Sequence, residues 1–473
     1  MRVFHCDTVK GALKGTSVAD NFTFATIRNS PPDRQHLLDW FDGQHLPSSK
    51  RTPKGHHVKP RTTILAIVCL AASWYYATSL SSMVRVGLKV GVVGDFYPIW
   101  TATRAIMRHV NPYGPEVTEQ NQIQAYGATA KALGEKDEYR FAYPVYATFP
   151  LFPLDLLDFH TANEIALWLF AGLSALSVGW LRGKWDKTSA FYCVLSFSSY
   201  PVIIALQVRQ PTVLFFALAV GGIALLRADR LVPAGILAAL STGKPQVALP
   251  IVLPMLMWTF AAWHDRKKFA ISFFTFLLAL LSLSSIVTPG WIPEWIAALR
   301  AYSQYAGLSI VDSFLGNEIG LAVSGLLFVG LIATLWLHRE ADLLFQIAFS
   351  VVIFQLILHS FIYSEIILLI PAIWVADNAT RIATCGWVNQ LTLAAVRIAF
   401  IEFWLANAVG ALLLHTTMLG KSIAWSMGIR GLMVIPVLWS LVAMMIVQLF
   451  SAKEKTGCKR LDNGSPMGEW AKQ

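Results

Sequence analysis

Residues 231–263 read LVPAGILAALSTGKPQVALPIVLPMLMWTFAAW, an apolar run whose one charged residue is Lys244. It is longer than the ~20 residues an α-helix needs to cross a bilayer's hydrocarbon, yet it is interrupted at Gly243-Lys244-Pro245. Proline removes a helical N–H and its ring clashes with the preceding turn. The run therefore reads as two short spans, 231–243 and 245–263, or as a re-entrant hairpin, with a cation at the break. Broken backbone at that depth is tolerated only where it is buried in protein or lines a cavity.

On either side of it ten further runs meet the length requirement, near 62–86, 161–181, 187–206, 211–227, 269–288, 319–337, 341–358, 361–377, 390–414 and 424–450. With the broken pair this makes an all-α polytopic membrane protein of about 12 transmembrane helices. Composition agrees: 473 residues are 55% hydrophobic and 14% charged, with a mean hydropathy of +0.53. A soluble domain carries roughly 25% charged residues, so soluble, disordered and collagen-like classes are excluded.

The net charge of +10 is a topology signal rather than a nucleic-acid footprint. Lys50, Arg51, Lys54, Lys59 and Arg61 precede the first run; Arg182, Lys184, Lys187, Arg227, Arg230, Arg266, Lys267, Lys268 and Arg339 fall in alternate short loops; Lys453, Lys455, Lys459 and Arg460 follow the last run. Cations concentrate on the cytoplasmic side, which places both termini there, in a cell membrane. The long loops, about 87–160 and 289–318, are then exoplasmic and mildly acidic. The domain reading is a low-order cytoplasmic tail 1–61, a multispan domain 62–450 and a basic cytoplasmic tail 451–473. Five cysteines without a Cys-x-x-Cys pair give neither a metal nor a redox signature. No cofactor or metal is expected, and membrane lipids are the expected surroundings.

The long loop after the first run carries the chemistry. It opens with Gly94-Asp95-Phe96-Tyr97, turns at Asn111-Pro112-Tyr113-Gly114, and continues through Phe141-Ala142-Tyr143-Pro144 and Phe149-Pro150-Leu151-Phe152-Pro153. On spacing alone Asp95 has two readings. It caps the following helix, or it takes a proton from a sugar hydroxyl as a general base.

Gly94-Asp95-Phe96, Asn111-Pro112-Tyr113, Tyr143-Pro144, Pro150 and Pro153 together resemble the opening of glycosyltransferase family 87, polyprenol-phosphate-mannose-dependent mannosyltransferase-like enzymes of the GT-C class. The likeness continues over about 62–450. Arg209-Gln210-Pro211-Thr212 resembles the family's Gly-Gln-x-Asn segment, with arginine at the glycine position, and Gly235 with Gly243-Lys244-Pro245 resembles its Gly-rich helix ending in Lys-Pro. Phe361-Ile362-Tyr363-Ser364-Glu365 stands where members carry an aromatic-and-acidic or aromatic-and-histidine motif.

The resemblance implies a GT-C-type bundle and inverting transfer of a hexose such as mannose from a polyprenyl-phosphate donor to a lipid or glycan acceptor on the exoplasmic face. It implies Asp95 as the base, with Lys244, Arg209, Gln210, Glu365, His359, Tyr113 and Tyr143 as candidates for donor phosphate or substrate. Each cation also has a structural reading: Lys244 as a snorkelling interface lysine, Arg209 as a headgroup contact. Arg104 and Arg108, four apart, more readily face water or headgroups. Trp291 and Trp295 either stack on a sugar or anchor at the interface, and Glu402 pairs with Arg397. Competing functions are a lipid or sugar transporter or flippase, which needs two related halves, and a non-catalytic subunit of an envelope-polysaccharide assembly system.

Overall fold

The computed structural model describes residues 94–134, 138–305, 309–358, 362–384, 386–398, 441–442 and 445–446, all within one unit spanning Lys59–Gln473. The expected run 62–86, most of 390–414 and of 424–450, both tails, His359 and Glu402 lie outside these residues.

Described residues form helices and no strand. Four short pieces precede the apolar helices: α1 (Tyr97–Met107), α2 (Pro115–Tyr126), α3 (Ala130–Leu133) and, after a 3-10 turn at Val145–Leu151, α4 (Phe152–Asp155). Then follow α5 (Phe159–Arg182), α6 (Lys187–Ser198), α7 (Tyr200–Gln207), α8 (Thr212–Arg227), α9 (Leu231–Ser241), α10 (Pro245–Ala261) and α11 (Trp263–Val287). The chain continues through α12 (Trp291–Tyr305), α13 (Ile310–Leu315), α14 (Asn317–Leu337), α15 (Leu343–Ile357), a second 3-10 segment at Ile362–Leu368, and α16 (Leu369–Thr384).

Local chemistry sets the boundaries. Asp158, Asp186 and Asp342 each accept from a first-turn backbone N–H, at 3.1, 2.7 and 2.8 Å, and so start α5, α6 and α15. Gly183 ends α5 at φ 67°, a left-handed cap that glycine adopts without penalty. Arg182, buried at that end, donates to Asp186, to Ser189 Oγ (2.6 Å) and to Asp377 (3.3 Å), tying α5, α6 and α16 together.

Among the described residues four helices are long and apolar enough to cross a membrane: Phe159–Arg182, Trp263–Val287, Asn317–Leu337 and Tyr363–Thr384. A pair bent by 66°, Lys187–Phe197 with Pro201–Gln207, is a fifth if it counts as one span. Apolar helices α8, α9, α10 and α15 are shorter. Only 22% of the most apolar windows of α11 and α14 are buried within the protein, and Ile286, Leu321, Leu326 and Leu337 are 72–75% exposed. So much aliphatic surface in water marks an interaction face; here it fits lipid tails. The run 231–263 resolves into two short helices broken over residues 242–244, ~16 and ~25 Å long at 1.5 Å per residue.

At the centre lies α8, with Phe215, Phe216 and Ile223 fully buried. It packs on α5 and α9, and α9 packs on α11. In lipid, where tails are as apolar as leucine, close van der Waals fit holds helices together. Gly235 on α9 shows how close: a Cβ there would lie 2.6 Å from Phe269 O of α11.

The aromatics of α12 depart from both sequence readings. Trp291 is 1% exposed and meets Tyr146 edge-on at 6.2 Å, while Trp295 donates its indole N–H to Ala142 O at 3.2 Å. Two tryptophans expected at a sugar or a headgroup layer instead join α12 to the first long loop.

Candidate functional site

The site begins with a close approach of two chain segments. A Cβ on Gly94 would lie 2.4 Å from Val208 O, so glycine lets the start of the first loop lie directly on the turn after α7. Tyr139 Oη donates to Gly94 O at 2.7 Å from the other side. Tyr97 N–H closes a turn onto Gly94 O at 2.9 Å, and Phe96, the N-cap of α1, offers no side-chain acceptor. Asp95, between them, turns one carboxylate oxygen to Gln210.

Gln210 is the hub. It is 1% exposed; its Nε2 donates to Asp95 Oδ2 at 2.5 Å. Its Oε1 accepts from Tyr143 Oη at 2.7 Å and from Lys244 Nζ at 3.2 Å. The amide orientation follows from chemistry: an ammonium has donors only and must meet oxygen, which leaves the NH₂ for the carboxylate. The chain Asp95–Gln210–Lys244 thus joins a carboxylate and a cation through one amide.

Lys244 is buried at 6% exposure, so it does not snorkel. It stands at the N-cap position of α10, at the break, donates a second bond to Thr212 Oγ1, and lies 4.7 Å from the Tyr363 ring centroid and 5.6 Å from that of Tyr143. Removing an ammonium from water carries a penalty of several kcal/mol. Two hydrogen bonds to neutral groups, cation–π contacts of ~1–2 kcal/mol each and the charge on Asp95 offset part of it. An anion bound at this point would offset more.

Supporting contacts hold the aromatic wall. Tyr113 Oη donates to Tyr143 O at 2.7 Å, and burial together with the Asp95 charge holds the Tyr143 phenol well above its ordinary pKa, so it stays a donor. Tyr146 Oη meets Thr242 O and Oγ1 at 3.2 and 3.1 Å, pinning the loop to the α9–α10 break. Tyr302, on α12, bonds Tyr363.

Of the sequence candidates, the structure brings Asp95, Gln210, Lys244 and Tyr143 together, with Tyr113 one step behind. Arg209 does not join them through any contact among the described residues. Its guanidinium donates to Gln207 O at 2.7 Å, and its backbone sits at φ 47°, the left-handed region that glycine occupies most readily. Glu365 is buried at 8% exposure in the 3-10 segment and its Oε2 has no partner among the described residues; it shares that segment with Tyr363 but not the hydrogen-bond chain. Arg104 donates to Leu157 O at 2.7 Å and stacks 4.3 Å over Trp100, away from the cluster. His359 lies outside the described residues.

Sequence reading missed Thr212 and Tyr302 as members of the site. Thr212 stands two positions after Gln210, inside the quoted motif; Tyr302 extends the Trp291, Trp295 stripe by one heptad, a periodicity that marks one helix face. Among the described residues no group of three or more His, Cys, Asp or Glu is placed to hold a metal.

Residues 141–360 match glycosyltransferase family 87. No curated protein and no solved structure matches the chain. The matched segment contains Tyr143, Gln210, Thr212 and Lys244; Asp95 precedes it and Glu365 follows it. By its apolar helices the chain is a membrane protein, and its likeness to the family is confined to residues 141–360.

Proposed function

We propose, from the family 87 match and from the cluster that this segment builds with Asp95, that this protein is an inverting membrane hexosyltransferase. It moves a sugar such as mannose from a polyprenyl-phosphate donor to a hydroxyl of a lipid or glycan acceptor on the exoplasmic face. The observation that carries the reading is the Gln210 amide, which bridges a half-buried carboxylate and a buried ammonium. A reaction that needs a base at one end and an anion site at the other uses such a pair.

Each group has a separable task. The acceptor oxygen attacks the anomeric carbon and forms the new glycosidic bond while its proton passes to Asp95. The bond from that carbon to the phosphate oxygen breaks, and its electron pair leaves with the polyprenyl phosphate. Lys244 neutralises the charge gathering on that oxygen, and because it is already desolvated the interaction is stronger than in water. Gln210 holds the two at a set separation. Tyr143 and Tyr363 keep water away from the ammonium, and the lipid-facing helices receive the donor's chain.

The deciding experiment uses purified full-length protein in lipid with a panel of polyprenyl-phosphate sugars and mass analysis of products. Transfer by the wild type, reduced about 10²–10⁴-fold in Asp95→Asn, supports the reading. Wild-type rates in Asp95→Asn remove Asp95 as the base.

A further inference from the structure

An open groove of about 610 Å³ lies beside the catalytic turn, between the start of α1 and the outward face of α2. Its lining joins Tyr97 to Glu116, Glu119, Gln120, Ile123 and Gln124. Glu116, Gln120 and Gln124 recur at i, i+4 and i+8, so they form one ridge of α2; all three are exposed. Tyr97 is two residues from Asp95, its backbone N–H bonds Gly94 O, and its hydroxyl bonds Gln120. The groove and the carboxylate thus share one turn of chain.

Its walls are held from behind. Thr101 Oγ1 donates to Asn121 Oδ1 at 2.7 Å, locking α2 onto α1. Gln122 accepts from Ala130 N and donates to Glu138 O, both at 2.9 Å. Tyr97 stacks on Trp100 at 5.7 Å and meets Phe159 edge-on at 4.8 Å. Buried polar side chains set the scaffold while a different polar set faces outward, an arrangement suited to a preformed site.

Resting on the transferase reading, we propose that this groove binds the acceptor, and that the acceptor ends in an uncharged, polyhydroxyl glycan. A sugar hydroxyl both donates and accepts. Carboxylates supply acceptors and carboxamides supply both. Two carboxylates with no cation in the lining disfavour a phosphorylated or carboxylated end. A single aliphatic side chain, Ile123, is too little for an acyl tail.

The test separates this from the function reading by measuring binding without turnover. Purified full-length protein in lipid nanodiscs is presented with neutral oligomannosides and with their phosphorylated counterparts, and saturation transfer is read by NMR. Neutral oligosaccharides should receive saturation, phosphorylated ones should not, and the signal should fall at least about fivefold in Gln120→Ala/Gln124→Ala. Because that pair is exposed, folding is checked by thermal melting, and Glu119→Gln serves as the second variant. In the transfer assay the same variants should raise the acceptor KM about tenfold without a matching rise in the donor KM. Absent saturation from neutral glycans, equal binding of phosphorylated ones, or calcium binding that Glu116→Gln/Glu119→Gln abolishes would each overturn the proposal. Loss of transfer with glycan binding intact would overturn the function reading alone.

Discussion

Tyr143 and Lys244 donate to one oxygen atom, Gln210 Oε1, at 2.7 and 3.2 Å. Two donors on that oxygen fix the amide, so its NH₂ end faces Asp95. Tyr143→Phe keeps the ring but removes one donor, a change worth ~1 kcal/mol. The expected outcome is a transfer rate lower by roughly fivefold to tenfold, with the melting temperature within a few degrees of wild type. Gln210→Leu, which breaks both ends of the bridge, should lower the rate by at least about 10²-fold in the same assay.

Replacing Lys244 by methionine distinguishes structure from function. A buried ammonium without a directly bonded carboxylate is a stability liability, and an apolar side chain of similar volume removes it. Lys244→Met should therefore melt at or above the wild-type temperature while transfer falls ~10²-fold or more. A protein that loses stability together with activity would make Lys244 a structural residue.

Gly94 should tolerate no side chain. Gly94→Ala places a Cβ 2.4 Å from Val208 O, a backbone atom that cannot rotate aside, and overpacking of this kind costs ~1–3 kcal/mol. It should also displace Asp95 and lower the rate. Gly172, where a Cβ meets nothing within 4 Å, is the matched control: Gly172→Ala in α5 should be neutral or slightly stabilising. Thermal melts of the two variants check both statements.

Asp155 gives stability a pH dependence. Burial raises its pKa to about 7, against the opposing pull of Thr103, whose hydroxyl donates to Oδ2 at 2.5 Å, and of the Arg104 charge. A folded-state pKa above the unfolded one favours the protonated form, so this contribution is complete below about pH 4 and is lost as pH rises through about 7. Asp155→Asn should flatten that decline. Melting temperatures across pH 5–8 for wild type and variant read it directly, and parallel curves would remove Asp155 as the source.

The described helices were largely legible in the sequence because apolar length and the Lys244-Pro245 break are local properties. The run 361–377 extends to Thr384 in the structure, since Arg381 in the last turn stays compatible with a helix end. Contacts that build the site are not local. Asp95 and Gln210 meet across 115 positions, Tyr143 and Gln210 across 67, and no periodicity states which loop rests on which turn. Motif order brought Gln210 forward, and the break in an apolar run brought Lys244 forward. The same blindness misplaced Trp291 and Trp295, whose spacing fits an interfacial belt but whose partners, Tyr146 and Ala142, lie about 150 residues away.

The break over residues 242–244 does more than seat a buried cation. It starts a new 17-residue helix at Pro245, and the peptide dipoles of that helix converge on the residue that carries the ammonium, adding the equivalent of about half a positive charge there. Backbone and side chain therefore present the same sign to whatever enters. An anion would keep part of its attraction after the side chain is neutralised, and only a carboxylate at position 244 would reverse the local potential.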